Sequence, residues 1–323
     1  MCTAATYRTK HHYFGRNLDL EHHFLEQVTI TPRNFPLRFR QKATMKNHYA
    51  IIGMASVVDG YPLYYDATNE KGLSMAGLNF PGFAAYYPCR SGKDNITPFE
   101  FIPWILAQCA DVEDALQKLE TINLLAEPFS EEIPLSPLHW MLADRERSLT
   151  VETLKDGMRI HENPVGILTN NPPFDYHMLH LADYLNITPQ PAENRFAPQI
   201  VLEPYSRGMG GMGLPGDLSS ASRFVKAAYT KLNSVSGDSE LESVSQFFHI
   251  LSGVAQQRGA VMHNGAYEIT YYSSCCNTDL GIYYYTTYEN SQITGIDLHR
   301  ENLDGEELIA YPLRLTQNIR WDN

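Results

Sequence analysis

The sequence predicts an α+β protein in which two antiparallel sheets pack face to face and helices lie outside them. Three observations carry this. The first third of the chain consists of short alternating or β-branched runs divided by turn residues, beyond residue 98 the apolar period lengthens to that of a helix, and no parallel strand-helix-strand repeat is visible. In order, strands are expected over 3–8, 13–20, 28–32, 49–58, 63–69 and 73–79. Between 99 and 122, Ile102, Ile105, Leu106 and Cys109 fall on one helical face, and Asp111 is placed to cap a second segment. Strands return over 138–143, 149–154, 158–160 and 166–168, then helices over 174–185, 222–232 and 239–251. Strands over 267–273, 281–288 and 292–297 close the pattern. Without an internal repeat, low-complexity tract or linker, residues 1–323 read as one domain.

With 43% apolar residues the chain has enough material for a full core, so disorder is excluded as the default. Asp and Glu outnumber Lys and Arg 37 to 25, giving a formal charge of −12 that repels nucleic acid and anionic membrane. No apolar run reaches the ~18 residues of a membrane span, and the first residues lack the apolar core of a signal peptide. A cytoplasmic protein is therefore expected. Cys2, Cys89, Cys109, Cys275 and Cys276 are too few and too irregular for a disulfide framework and are expected to be reduced. In the same setting, Asn95-Ile96-Thr97 and Asn186-Ile187-Thr188 are chance matches to the glycosylation sequon.

Several motifs fail on context. Gly208-Met209-Gly210-Gly211-Met212-Gly213 has dinucleotide-loop spacing, yet Pro215 follows at once and the ribose-binding distance holds Asn233 and Ser234 rather than an acid. It reads as a loop. His11-His12 and His22-His23 are neighbours that point to opposite strand faces and cannot chelate one ion, so no metal is expected. Gly72-Leu73-Ser74-Met75-Ala76 lacks the second glycine of a nucleophile elbow. Cys275-Cys276 reads as one core residue and one residue on the opposite face.

What remains is the N-terminus. Cys2 follows the initiator methionine directly, and so small a side chain permits that methionine to be removed. A leading cysteine combines a thiol, with a reference pKa of about 8.5, and an α-amine near 7.7–8.0, a nucleophile and base in one residue. The segment Tyr13-Phe14-Gly15-Arg16-Asn17-Leu18-Asp19-Leu20 is suited to holding it. Alternation places Arg16 and Asp19 on opposite faces unless the strand bulges; with a bulge, Asp19 reaches the ammonium while Arg16 stands near the sulfur. A surface ion pair is the bland alternative.

Together, MCTA at the start, YFGRNLDL at 13–20, NEKGLSMAGLNFPG at 69–82, LTNNPPFDYH at 168–177 and GMGLPGDLSSASRF at 211–224 resemble the choloylglycine hydrolase family of N-terminal nucleophile (Ntn) hydrolases over essentially the whole chain. The likeness is closest to the bile salt hydrolases of lactic acid bacteria, with the penicillin V acylases as a sister branch. It implies a four-layer αββα sandwich, the Ntn-hydrolase fold, and a homotetramer without metal or cofactor. It also implies that Cys2 is the nucleophile, Arg16 and Asp19 the pair beside it, Arg223 a second arginine near the thiol, Asn170 the side-chain oxyanion donor, and Asn79 the position facing the scissile amide. Loss of Met1 is then the expected maturation step, leaving a mature chain of 2–323.

The substrate implied is a conjugated bile salt. Leu20, Phe24, Tyr65, Ile133 and Leu135 are candidate walls for its steroid, and Pro81 a candidate contact for the departing amino acid. Each is otherwise ordinary core or loop packing. Three rivals stand beside this reading. A penicillin V acylase would use the same machinery, and the family pattern associates asparagine at position 79 with bile salts and tyrosine with penicillin V. A non-catalytic protein would use its 11% aromatic residues to hold an amphipathic lipid. A redox thiol protein would depend on Cys89 or Cys275 as much as on Cys2.

Overall fold

A computed structural model describes every residue from Met1 to Asn323. Strands β1 (Cys2–Arg8), β2 (His12–Leu20), β12 (Ile167–Leu168), β14 (Ala266–Asn277), β15 (Ile282–Thr287) and β16 (Thr294–Asp297) pair in the order β12-β1-β2-β14-β15-β16. Short β13 (Val261–His263) folds back on β14. A second sheet is built from β3 (Gln27–Thr31), β4 (Ile51–Val58), β5 (Tyr61–Asn69), β6 (Ser74–Asn79), β9 (Leu138–Ala143), β10 (Ser148–Leu154), β11 (Gly157–Glu162) and β17 (Ile309–Pro312). Its order is β11-β10-β9-β6-β5-β4-β3-β17, and every pairing in both sheets is antiparallel.

Helices α1 (Phe101–Leu106) and α2 (Val112–Leu119) cover the second sheet, burying Ile102, Ile105 and Val112 against Ile51, Met75 and Trp140. Helices α3 (Phe174–His180), α4 (Ser220–Asn233) and α5 (Glu240–Ser252) cover the first, with Phe224, Ala228 and Phe247 packed on Ala5, Tyr13 and Cys275. This is the expected αββα sandwich. Asp111 caps α2 by accepting from the Asp114 N–H at 2.9 Å, and Ser239 with Glu242 forms a capping box on α5.

The structure departs from the sequence reading in several places. The stretch from 99 to 122 divides between Leu106 and Val112 as the Asp111 cap of a second segment implies, but the expected helix over 174–185 keeps α form only to His180 before a 3₁₀ turn. Strands β7 (Asp94–Ile96) and β8 (Ile122–Leu124) pair in parallel with α1 and α2 between them, a small crossover too short to show a sequence period. Edge strand β17 was not foreseen either. Finally, Cys275 and Cys276 are both core residues, because the first sheet is covered on both faces.

Candidate active site

The site forms where β1 begins. Cys2 lies opposite Leu18, and Ala4 opposite Arg16, so the four side chains share one face of the first sheet. That face looks toward the second sheet. Arg16 crosses the gap, donating from Nη1 to the Tyr65 carbonyl at 2.9 Å and the Gly77 carbonyl at 2.5 Å, while its Nη2 is buried without a partner. Burial works against its charge, but the Cys2 thiol, Tyr272, Asp66 and Asp19 outweigh that and push its pKa up. Gly15 permits this placement, since a Cβ there would stand 2.0 Å from the Ser274 carbonyl oxygen.

Thr3, Asn17 and Asp19 occupy the opposite, helix-facing side. Asn17 donates to Leu251 O of α5 at 2.9 Å, and Arg223 of α4 donates to the Thr3 hydroxyl at 2.7 Å and the Cys2 carbonyl at 2.5 Å. The Arg223 guanidinium also donates to Asn170 Oδ1 at 2.6 Å and stands 4.0 Å from Asp19 Oδ2. Asp19 Oδ1 accepts from the Thr270 hydroxyl at 2.6 Å; Oδ2 is buried with no hydrogen bond. Burial drives the Asp19 carboxyl above its usual range against the pull of Arg223, and it lowers the pKa of Arg223.

No bulge brings Arg16 and Asp19 to one face, which corrects the condition set on their joint action. The only irregularity here is in β14, between Thr270 and Tyr272. Strand alternation is kept, and Cys2 is approached from both sides: its side chain from the cavity face, its main chain from the helix face.

Asn170 joins the two. Its Oδ1 accepts from the Cys2 N–H at 2.8 Å as well as from Arg223, which fixes its amide orientation. Its Nδ2 donates to the Asn79 carbonyl at 2.7 Å, leaving a second N–H free. The Asn170 backbone is held by Ser220 Oγ and by His177 Nε2, each at 2.8 Å. With Met1 in place, its ammonium donates to the Asp19 carbonyl at 2.7 Å and pairs with buried Glu268, a residue that no sequence signal singled out.

Cys2, Arg16 and Asn79 line a cavity of about 330 Å³ between the sheets, as do Leu20, Phe24, Tyr65, Ile133 and Leu135. Pro81 is exposed and stands outside the cavity lining. The sequence reading missed Leu18, Leu63, Phe99, Phe129, Leu138 and Trp140, which complete its apolar wall. A larger cleft of about 760 Å³ around Arg33, His48 and Glu70 is predominantly polar and has no thiol. Burial pushes the thiols of Cys109 and Cys276 up to about 12 and that of Cys275 well above its ordinary value, so these cysteines stay protonated and unreactive. Among the gapped Gly208–Gly213 residues, a 3₁₀ turn forms instead of a strand-to-helix junction.

One apolar cavity of an αββα sandwich thus holds a cysteine in its wall, a buried guanidinium beside it and an amide network behind it, an arrangement suited to acyl transfer. Comparison with known proteins sharpens the class: residues 2–311 match the linear amide C-N hydrolases, choloylglycine hydrolase family, and this chain belongs to that family. A bile salt hydrolase/transferase from Lactiplantibacillus plantarum is 55% identical over 315 residues, 97% of each chain. The crystal structure of a mutant conjugated bile acid hydrolase from Clostridium perfringens superposes with a TM-score of 0.92 at 38% identity, covering 100% of both chains. Penicillin V acylase from Agrobacterium tumefaciens shares the fold, with a TM-score of 0.75 at 18% identity over 96% of this chain and 90% of its own.

Proposed function

We propose that this chain is a bile salt hydrolase that cleaves the amide joining a bile acid to glycine or taurine, with Cys2 as nucleophile after loss of Met1. The observation that carries the reading is the shared cavity of Cys2, Arg16 and Asn79, roofed by apolar side chains of both sheets and the 127–136 segment. In the mature chain 2–323, the nitrogen that donates to Asn170 Oδ1 becomes the α-amine, and the unsatisfied oxygen of Asp19 is available to hold it. The amine takes the thiol proton, the thiolate attacks the amide carbonyl, and the free N–H of Asn170 with the backbone of Asn79 meets the oxyanion. One such donor is worth about 2.7–4 kcal/mol of barrier. The amine then protonates the departing glycine or taurine and serves as base for the water that opens the thioester.

A net charge of −12 does not attract an anionic substrate. Burial of the steroid, at about 25 cal/mol per Å² of apolar surface, outweighs a screened repulsion of order 1 kcal/mol, and Arg16 gives local positive potential. The Lactiplantibacillus relative's name includes transferase activity. The same thioester, met by an amine in place of water, would form a new amide.

We extend the reading to a cytoplasmic homotetramer. The five cysteines are unpaired, as suits a reducing compartment, and the segment 186–219 exposes Phe196, Val201 and Tyr205 at 84%, 87% and 83%, apolar surface suited to burial against other copies.

The test is intact-protein mass spectrometry before and after a glycocholate pulse, run beside kcat/KM for glycocholate, taurocholate and penicillin V. The expected result is loss of one methionine, an acyl adduct on the new N-terminus and preference for bile salts. Activity in a chain that keeps Met1, or a clear preference for penicillin V, would overturn it.

A further inference from the structure

The cavity has two kinds of wall. Strands supply half of it, but Glu127, Pro128, Phe129, Ile133 and Leu135 come from a stretch between β8 and β9 that has no regular secondary structure. Such a stretch makes few backbone bonds of its own; here Ser130 and Ile133 are joined by contacts of 3.2 and 3.4 Å. At its far end Tyr86 ties it to the second sheet, donating to the Ser136 carbonyl at 2.7 Å and accepting from the Leu138 N–H at 2.8 Å. At the near end the tie is Arg40, a residue of the loop between β3 and β4.

The Arg40 guanidinium donates to Glu127 Oε1 at 3.2 Å and to the Phe129 carbonyl, and it lies 5.5 Å from the ring centre of Phe99 and 6.0 Å from that of Phe129. Those rings meet edge to face at 5.1 Å. The Arg40 backbone is fixed in turn: its N–H donates to Glu100 Oε1 at 2.5 Å, and the other carboxylate oxygen of that buried glutamate accepts from the Thr97 N–H at 2.8 Å. One side chain thus clamps two cavity walls that are distant in sequence, Phe99 and the Glu127 to Phe129 run. Lysine could hold the charge opposite Glu127 but not the planar fork and the two ring contacts.

Resting on the reading that this cavity takes the acyl part of the substrate, we propose that Arg40 is a positioning residue for acyl specificity: by fixing the 127–136 wall it favours a broad, rigid polycyclic acyl group over a slim one. It does not touch the thiol, so it acts through the shape of the cavity and leaves the chemical step alone.

Arg40→Ala and Arg40→Lys test this in the full chain, with kinetics on glycocholate and penicillin V and hydrogen exchange mapped by mass spectrometry. Both variants are expected to raise KM for glycocholate about tenfold, the size of one cation–π contact with one hydrogen bond, at unchanged kcat. Penicillin V parameters should stay within about twofold, and exchange should quicken at 127–136 above any change elsewhere. An unchanged glycocholate KM, a parallel loss for both substrates, or unchanged exchange at 127–136 would overturn the proposal. A wild-type chain inert toward glycocholate defeats the bile salt reading instead, and the exchange map of Arg40→Ala still decides whether the clamp exists.

Discussion

The two faces of β1 and β2 differ in kind. Toward the cavity stand Cys2, Leu18, Leu20 and Arg16, three of them apolar or weakly polar, and one guanidinium nitrogen there has no partner. Toward the helices, Thr3, Asn17 and Asp19 enter a polar net with Arg223, Thr270 and Leu251. The contrast teaches how an antiparallel pair separates two tasks: the sulfur opens onto the cavity on one side, and the residue carrying it is oriented from the other.

Breaking the cavity face at its centre has the largest expected effect. Cys2→Ala should lower kcat for glycocholate by on the order of 10⁴-fold or more while equilibrium binding of cholate, followed by calorimetry, stays within about threefold. Retained turnover would end the nucleophile assignment. Breaking the link between the faces comes next: Asn170→Ala should lower kcat by about 10²–10³, the worth of one oxyanion donor, with KM little changed in steady-state assays. The contrast is sharpened by a pH measurement behind the link. Burial lowers His177 to about 4, against about 6.5 in an unfolded chain. Between those values the unfolded chain binds a proton that the folded chain refuses, so stability falls as pH drops through this window and levels off below it. Denaturant titrations should show up to about 3 kcal/mol of this slope removed in His177→Gln, with the remainder set by other groups such as buried His12.

Local periodicity made part of this visible in advance. Alternation in 13–20 assigned Arg16 and Asp19 to opposite faces, the capping signal at Asp111 marked the start of α2, and the helix expected from 239 begins one residue later. Such signals report which way a side chain points, not what it meets. The apolar wall from Phe99, Phe129 and Trp140 gathers segments with no shared period, and the residues around Glu127 have none at all. Pro81 illustrates the same limit: two residues from Asn79 in sequence, it leaves the strand and faces solvent. Glu268 was invisible because its contact with Met1 joins residues 267 positions apart. The link of Asn170 and Arg223 to Cys2 is carried by the likeness of whole segments to the choloylglycine hydrolases, not by any single residue.

The pairing of Cys2 with Leu18 makes access to the thiol a question of parity. One extra residue spliced between Cys2 and Thr3 would move the cysteine to the place Met1 now takes, turned toward the helices, with the remaining sandwich unaltered. Such a chain would fold, scatter light and melt like its parent, yet be catalytically blind.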